Sequence, residues 1–284
     1  MGDKQVKKDI YFYWGNDTMS YMRYMTLYSF CALNSDWSVY LIQNKQEHRR
    51  TLSVAVEKQD KTEYKGKDYS YLIKDLNIKV LDFENSMINL EESVVRNMSD
   101  VHTKDILNWK LLAEQGGVVA DMDILFTAPM GEAIHTDTEI GLICFDGHPQ
   151  KDYIPVSFMY SSGDNEFFKK TYENALKNYD PTVYESCGTM CIEEKNLDAI
   201  KTNYPNSIVQ ELDDGIVFPF IAYPWTIGID MLYNGDNTSV MDGNTVGIHW
   251  YAGAPASQKA NNLLNNETVY TINNTISMNI RRIL

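Results

Sequence analysis

The sequence predicts an α/β fold with a mostly parallel central sheet. Three observations carry that expectation. Residues 9–14, DIYFYW, are rich in β-formers, and the Gly15-Asn16-Asp17 break separates them from a helix-like pattern over 18–34 with Met19, Met22, Met25, Tyr28 and Phe30. Two more strand-like runs follow, Trp37–Ile42 and Ile78–Phe83. A short apolar run, Val118-Val119-Ala120, then comes directly after a helical pattern, as expected of a strand buried on both faces. Strands alternating with helices build parallel sheets, and such sheets bind ligands at the carboxyl ends of their strands.

Between these elements, the polar, basic stretch Asn44–Lys67 reads as a helical excursion or surface loop. Residues 134–160 and 183–192 read as further strands and a helix, and the Asp/Gly/Asn clusters between 226 and 245 resist assignment. From about Ala256 a helix or tail is expected. No repeat, low-complexity tract or Pro/Gly linker divides the sequence, so residues 1–284 read as one domain with 256–284 as its C-terminal helix or tail.

Apolar residues make up 44% of the 284 and charged residues 23%, an ordinary globular balance that needs no disulfide or structural metal to fold. Nineteen tyrosines and five tryptophans are generous; such residues line sites that hold rings, and cores use them too. A net charge of −14 argues against nucleic acid or anionic lipid as a partner. Any phosphorylated ligand would need local positive charge: a bound cation, a helix N-terminus or a few basic residues. Cys31, Cys144, Cys187 and Cys191 form no zinc-like cluster and read as buried thiols. The opening MGDKQVKKDIYFYW lacks the apolar core of a signal peptide, and no run approaches a membrane span, so a cytoplasmic protein is expected and sequons such as Asn97-Met98-Ser99 read as chance.

The chemistry concentrates in residues 102–126, HTKDILNWKLLAEQGGVVADMDILF. Ile106, Trp109 and Ala113, with Leu107 and Leu111, follow helical spacing, and Gly116-Gly117 supplies the left-handed turn that ends a helix. Asp121 and Asp123 come straight after the buried run. Two carboxylates at i and i+2 on extended backbone project to one side, and at a strand's carboxyl end they would face the ligand crevice. Charges there are costly unless solvated, paired or bound to a cation, and Mg²⁺ or Mn²⁺ suits two carboxylates plus substrate phosphates. The Asp-x-Asp motif alone is short and arises by chance; its setting raises its weight.

The arrangement Lys104-Asp105-Ile106-Leu107-Asn108-Trp109, followed by Gly116-Gly117-Val118-Val119-Ala120-Asp121-Met122-Asp123, resembles the glycosyltransferase family with a sugar-binding region containing the DXD motif. That group includes yeast initiating α-1,6-mannosyltransferases, bacterial polysaccharide transferases and, distantly, the clostridial glucosylating toxins. Ile10-Tyr11-Phe12-Tyr13-Trp14-Gly15 resembles the family's opening strand, and Cys187-Gly188-Thr189 falls where a Thr-Gly-Pro turn is common. Phe218-Pro219-Phe220 and His249-Trp250-Tyr251-Ala252-Gly253 resemble its closing segments. Asn108, Trp109 and Val119 depart from the family's arginine and two tyrosines.

The resemblance implies a GT-A (Rossmann-like) nucleotide-sugar transferase fold and a metal-dependent, retaining transferase. Its donor would be a nucleotide sugar, a UDP-sugar favoured, and its acceptor a hydroxyl on a glycan or other molecule. Asp123 is implied as a direct Mn²⁺ or Mg²⁺ ligand and Asp121 as a contact to ribose or metal-bound water. Asp105 reads as a helix N-terminal carboxylate, as a contact to ribose or sugar hydroxyls, or both. Asn108 stands at the donor-contacting arginine position. Trp14 reads as core or as the residue stacking on the base, and His249 as structural or as a third metal or diphosphate ligand. Trp250 is the candidate for closing over the diphosphate. Asp146, Asp213 and Asp214 lie in regions that could face an acceptor, although Asp213-Asp214-Gly215 is most simply a turn. Two other readings stay open. Nucleotidyl transfer or nucleotide-sugar hydrolysis would want a basic phosphate loop after the first strand, and Gly15-Asn16-Asp17-Thr18 has no Lys or Arg. A non-catalytic cation- or sugar-binding module would use acidic loops such as Asp236-Asn237 and Asp242-Gly243-Asn244.

Overall fold

A computed structural model describes residues 5–15, 18–44, 64–83, 98–145, 153–220 and 225–284. Most of the polar stretch after Asn44, together with Asn16, Asp17, Asn97 and Asp146, lies outside the described residues.

The first strand, Asp9–Trp14 (β1), leads into the helix Tyr21–Leu33 (α1) and returns through Ser38–Gln43 (β2), which pairs parallel with it from Asp9 opposite Ser38 to Trp14 opposite Gln43. Ser20 caps α1 by accepting the Arg23 N–H, and Asn34 ends it, its side chain donating to the Phe30 carbonyl. Ile78–Asp82 (β3) extends the parallel set beyond β2.

The helix Asp100–Lys110 (α2) starts at a Ser99 cap, with Asp100 in its first turn and Lys110 in its last, both on the side the helix dipole favours. It widens into a π-turn over Leu111–Gln115 and stops at Gly116, whose φ is +72°. The glycine pair then releases the chain into Gly117–Ala120 (β4), which lies parallel to β1 on the side away from β2. Ile106, Leu107, Trp109, Leu111 and Ala113 are all buried, as the spacing predicts.

Ile124–Phe126 (β5), Ile140–Ile143 (β6), Phe158–Ser161 (β7), Val209–Leu212 (β8) and Gly247–His249 (β9) complete the strands. The main sheet runs β3-β2-β1-β4-β7-β6-β8; β7 is antiparallel to both neighbours and the other pairings are parallel. The expected α/β architecture with a mostly parallel sheet is therefore what the chain forms. Strand order reverses between β1 and β4, which makes the crevice at their carboxyl ends, beside Trp14 and Asp121, the topological switch point.

Alternate residues of β1 feed two cores: Ile10 and Phe12 pack with Met22, Met25 and Phe30 of α1, whereas Tyr11 and Tyr13 pack on the side of Ile106 and Trp109. The second face is also covered by Glu166–Asn178 (α3) through Phe167 and Phe168.

One expectation needs correction. Residues 183–192 form only a 3-10 turn at Thr189–Cys191, and the helix of that region is α3. Beyond it, Leu197–Asn203 is a short helix (α4), and the unassigned stretch after 225 begins with a helix, Trp225–Tyr233 (α5). Of the helix or tail expected from about Ala256, helices form, Pro255–Leu263 (α6) and Thr275–Ile283 (α7), and α7 buries Ile276 and Ile280 in the first core. Among the described residues no helix is long and apolar enough to cross a membrane.

The glycine pair is held by backbone on both sides. A Cβ on Gly116 would lie 2.4 Å from the Gly163 nitrogen, and one on Gly117, whose φ is +104°, 2.7 Å from the Asp9 carbonyl oxygen. Gly116→Ala and Gly117→Ala should each destabilise by roughly 2–4 kcal/mol, combining a left-handed backbone with a clash against main chain. Gly243→Ala, where a Cβ meets nothing within 4 Å, should stay within about 0.5 kcal/mol. Denaturant midpoints of the three variants check this, and equal shifts would refute it.

Candidate functional site

Strand β4 ends at Ala120, and the main chain of Asp121 still bonds across to Ser157, its N–H donating to that carbonyl at 2.8 Å. Residues 121–123 then form a turn rather than the extended backbone expected of the pair. Met122 anchors the turn in the core, where its carbonyl accepts a 3.0 Å bond from the Thr26 hydroxyl of α1. The two carboxylates therefore converge because a turn bends them together, and not through the period of a strand.

A small two-stranded sheet brings the third group. Strands β5 and β9 pair antiparallel with Ile124 opposite His249, which sets the imidazole beside Asp123. The segment before β9 is stitched alongside by the bonds Val246 N–H to Ile216 carbonyl and His249 N–H to Val217 carbonyl, at 2.9 and 2.7 Å. Phe218 lies 4.9 Å from the His249 ring and Tyr251 4.5 Å, so packing on two sides fixes the ring's orientation. His249 Nε2 is 3.4 Å from Asp123 Oδ1, and the chain after it closes back on the same acid. Trp250 donates its backbone N–H to the Asp123 carbonyl, and Ala252 donates its own to Asp123 Oδ2, both at 2.8 Å. The second bond depends on Tyr251 adopting φ +51°, a left-handed conformation that costs a bulky residue on the order of 1–2 kcal/mol.

Asp121, Asp123 and His249 each offer a ligand atom within 4.8 Å of the others. Two carboxylate oxygens and an imidazole nitrogen suit Mn²⁺ or Mg²⁺, with imidazole the softer partner. His249 Nδ1 is buried without a hydrogen-bond partner, so the ring has donor or acceptor capacity that the protein alone leaves unused. The donor set fits a divalent cation.

Two basic groups that the sequence reading did not assign complete the site. Lys104 of α2 reaches Asp121 Oδ1 at 2.7 Å and Asp105 Oδ1 at 3.3 Å, which joins the helix to the acid turn. Burial works against its ammonium, yet Asp121 and Asp105 raise its pKa above the usual lysine range. Arg23, in the first turn of α1, lies over the rings of both Trp14 and Trp250. Its spacing from Ser20 marks a helix start; nothing local to it points at an acid pair a hundred residues away.

The carboxylates respond differently to this setting. Burial raises Asp121, with Lys104 opposing and Asp123 adding to the shift. Asp123 is held below its ordinary value; against the penalty of burial, His249, Arg23 and the Ala252 N–H favour its charge. Asp105, 3% exposed, is pushed up to about 6 chiefly by burial, although Lys104 pulls it down. Gly188 closes over this acid, because a Cβ there would lie 3.0 Å from Asp105 Oδ2, and Trp109 holds the same loop by donating its indole N–H to the Cys187 carbonyl at 2.7 Å.

Of the sequence candidates, Asp121, Asp123 and His249 meet directly, and Asp105 joins them through Lys104. Trp250, 1% exposed, joins through its backbone bond to Asp123. Trp14 ends β1 at the switch point and shares Arg23 with Trp250. Asn108 is buried one turn along α2 from Lys104 and Asp105, on the same helix face. Asp214 acts electrostatically on Tyr251, whereas Asp213, Asp236 and Asp242 turn back on the main chain. Asp213 accepts the Gly215 N–H, Asp236 the Thr238 N–H, and Asp242 those of Asn244 and Thr245, which are turn contacts.

Neither a protein-family model nor a curated protein sequence matches the chain. Among solved structures it is similar to the glycosyltransferase PaToxG, at 15% identity and a TM-score of 0.48 over 98% of this chain and 87% of that one. It is also similar to the glycosyltransferase GlyE of Streptococcus pneumoniae TIGR4, at 10% identity and 0.46, covering 98% of this chain and 63% of GlyE. A galactosyltransferase, LgtC, solved with donor and acceptor sugar analogues, matches at 13% identity and 0.45, over 97% and 94% of the two chains.

The Asp105 shift has a pH signature. An ordinary aspartate titrates near 3.8 and this one near 6, so between those values the native state holds a proton the unfolded chain has released. Its contribution favours folding below about pH 4 and is lost as pH rises through about 6, on the order of 2–3 kcal/mol in all. Asp105→Asn removes it. The wild-type-minus-variant stability difference should fall by that order between pH 4 and 7 in chemical denaturation, and a difference independent of pH would refute the assignment.

Proposed function

We propose that the chain is a metal-dependent glycosyltransferase of the GT-A type, one domain that moves a hexosyl unit from a nucleotide sugar to a hydroxyl acceptor with retention of anomeric configuration. The observation that carries this reading is the convergence of Asp121, Asp123 and His249 at the switch point of the sheet, within 4.8 Å of one another. The order of acid, glycine pair and acid pair in the sequence supports it. A UDP-sugar is the favoured donor and a glycan or other hydroxyl compound the acceptor. The cytoplasm is the favoured compartment, with the thiols of Cys31, Cys187 and Cys191 in keeping.

Asp123, Asp121 and His249 would hold Mn²⁺ or Mg²⁺. When bound, that ion offsets the charge that builds on the diphosphate as the bond to the sugar breaks. The chain's own residues prepare the site for it. Ala252 N–H and the β5–β9 pairing fix Asp123, so its carboxylate needs no reorientation when ligand arrives. Lys104 engages one oxygen of Asp121 and keeps Asp105 at the same crevice, where an acid that is partly protonated near neutrality can donate to or accept from sugar or ribose hydroxyls. Trp14, at the mouth of the switch point, offers an aromatic surface for a base. In a retaining transfer the C1–oxygen bond breaks with its electrons passing to the diphosphate. The acceptor oxygen bonds C1 from the same face, and its proton passes to the departing phosphate, so no side chain is assigned as general base.

A screen of nucleotide sugars for Mn²⁺-dependent release of nucleoside diphosphate tests the reading. Asp123→Ala should lower turnover by on the order of 100-fold or more. Asp123→Asn, which keeps an acceptor for the Ala252 N–H, should fall comparably while its melting temperature stays near wild type. Activity equal to wild type in both variants would end the assignment of this acid to the metal. Metal-bound protein that releases no nucleoside diphosphate from any donor would favour the binding-module reading.

A further inference from the structure

A chain with a net charge of −14 that grips a diphosphate needs positive charge at the point of contact. Lys104 bridges Asp121 and Asp105. Arg23 lies at the same crevice, its guanidinium carbon 5.0 Å from the ring centroid of Trp14 and 5.1 Å from that of Trp250. These indoles come from separate parts of the fold. Trp14 is the last residue of β1, and Trp250 follows β9 with its backbone N–H on the Asp123 carbonyl. One turn along α1, Thr26 bonds the Met122 carbonyl, so the helix that carries Arg23 is docked on the acid turn itself. Beside the guanidinium, the Trp250 indole Nε1 is buried and has no hydrogen-bond partner. An unpaired buried N–H is rare in a folded protein and calls for an acceptor.

We propose that Arg23 is a substrate-binding residue for the diphosphate of the donor, positioned by the Trp14 and Trp250 rings. This inference rests on the reading of the site as a nucleotide-sugar centre and assigns that site's anion-binding side chain. A cation–π contact uses the face of a guanidinium, whereas its five N–H donors point outward in the plane, so stacking on indoles and binding phosphate oxygens are compatible. The planar fork matches two oxygens of a phosphate, which an ammonium does not.

The test separates this role from that of a structural staple by the signs of two affinities. Calorimetric titrations would use Mn²⁺ alone, UDP or GDP with saturating Mn²⁺, and uridine, with wild type, Arg23→Met and Arg23→Lys. Arg23→Met keeps most of the packing and removes the charge. It should bind the Mn²⁺–nucleoside diphosphate roughly 10- to 100-fold more weakly, bind Mn²⁺ alone equally or a few-fold more tightly because a cation beside Asp123 is gone, and leave uridine unchanged. Arg23→Lys should lie between. A staple would instead weaken metal and nucleotide together, with a fall in melting temperature, and that result would overturn the proposal. So would Arg23→Met binding Mn²⁺–UDP or Mn²⁺–GDP as wild type does. Wild-type protein that binds neither nucleotide in Mn²⁺ overturns the nucleotide-sugar reading itself, and this inference with it.

Discussion

Three carboxylates, Asp105, Asp121 and Asp123, are drawn into one largely buried crevice, and their mutual repulsion is the constraint around which the rest of the site is arranged. Removing a charge from water without a partner costs several kcal/mol, more than a domain of this size can leave uncompensated at several positions. The chain offsets the cost separately for each acid. Lys104 lies between Asp105 and Asp121; His249 and a backbone N–H contact Asp123, and the charge of Arg23 acts on it from farther away. The opposite directions of the Asp121 and Asp123 shifts follow from that division. Burial raises Asp121 and Lys104 offsets it only in part, whereas the denser set of positive neighbours around Asp123 outweighs its burial.

That arrangement explains the small sheet of β5 and β9. Neither strand belongs to the main sheet, and each has three residues, too few to be stable as an isolated pair. Their pairing is held by the core beneath: Ile124, Leu125, Phe126 and Ile248 are buried with α1 and the C-terminal helices. The pairing in turn fixes His249 beside Asp123 and starts the turn at Tyr251 that aims the Ala252 N–H. A strained left-handed tyrosine persists because strand pairing, ring packing and a charge-assisted bond all hold it there.

What the sequence could disclose follows from this geometry. The first strands, α2, the glycine pair and the acid pair were legible because each is a local pattern: periodicity, a left-handed turn, two acids after an apolar run. The expected extended geometry of the acids was not what forms, since one buried methionine between them converts the strand end into a turn. His249 was legible only as a residue in a resembling segment, because nothing near position 249 specifies pairing with Ile124. Arg23 was not legible at all. It sits in an ordinary helix start, and only the packing of α1 against the acid turn brings it to the site. Lys104 carries no local signal of its own, since only the fold brings its ammonium against Asp121 seventeen residues on. α5 was hidden among Asp, Gly and Asn clusters that proved to belong to the loops after it.

The overall acidity of the chain and an anionic ligand are less opposed than they first look. At physiological ionic strength charges are screened over about 8 Å, so most of the surplus acids act on an approaching diphosphate only weakly. Inside the crevice the screening is much less effective, and there the balance differs: three carboxylates face Lys104 and Arg23, with His249 alongside. With all three acids ionised the site carries a small net negative charge before any ion enters, which favours a cation and repels an anion. Adding two positive charges reverses the sign. A crevice built in this way would take metal and diphosphate in a coupled fashion, each improving the site for the other, with the protein's own cations deciding how large the reversal is.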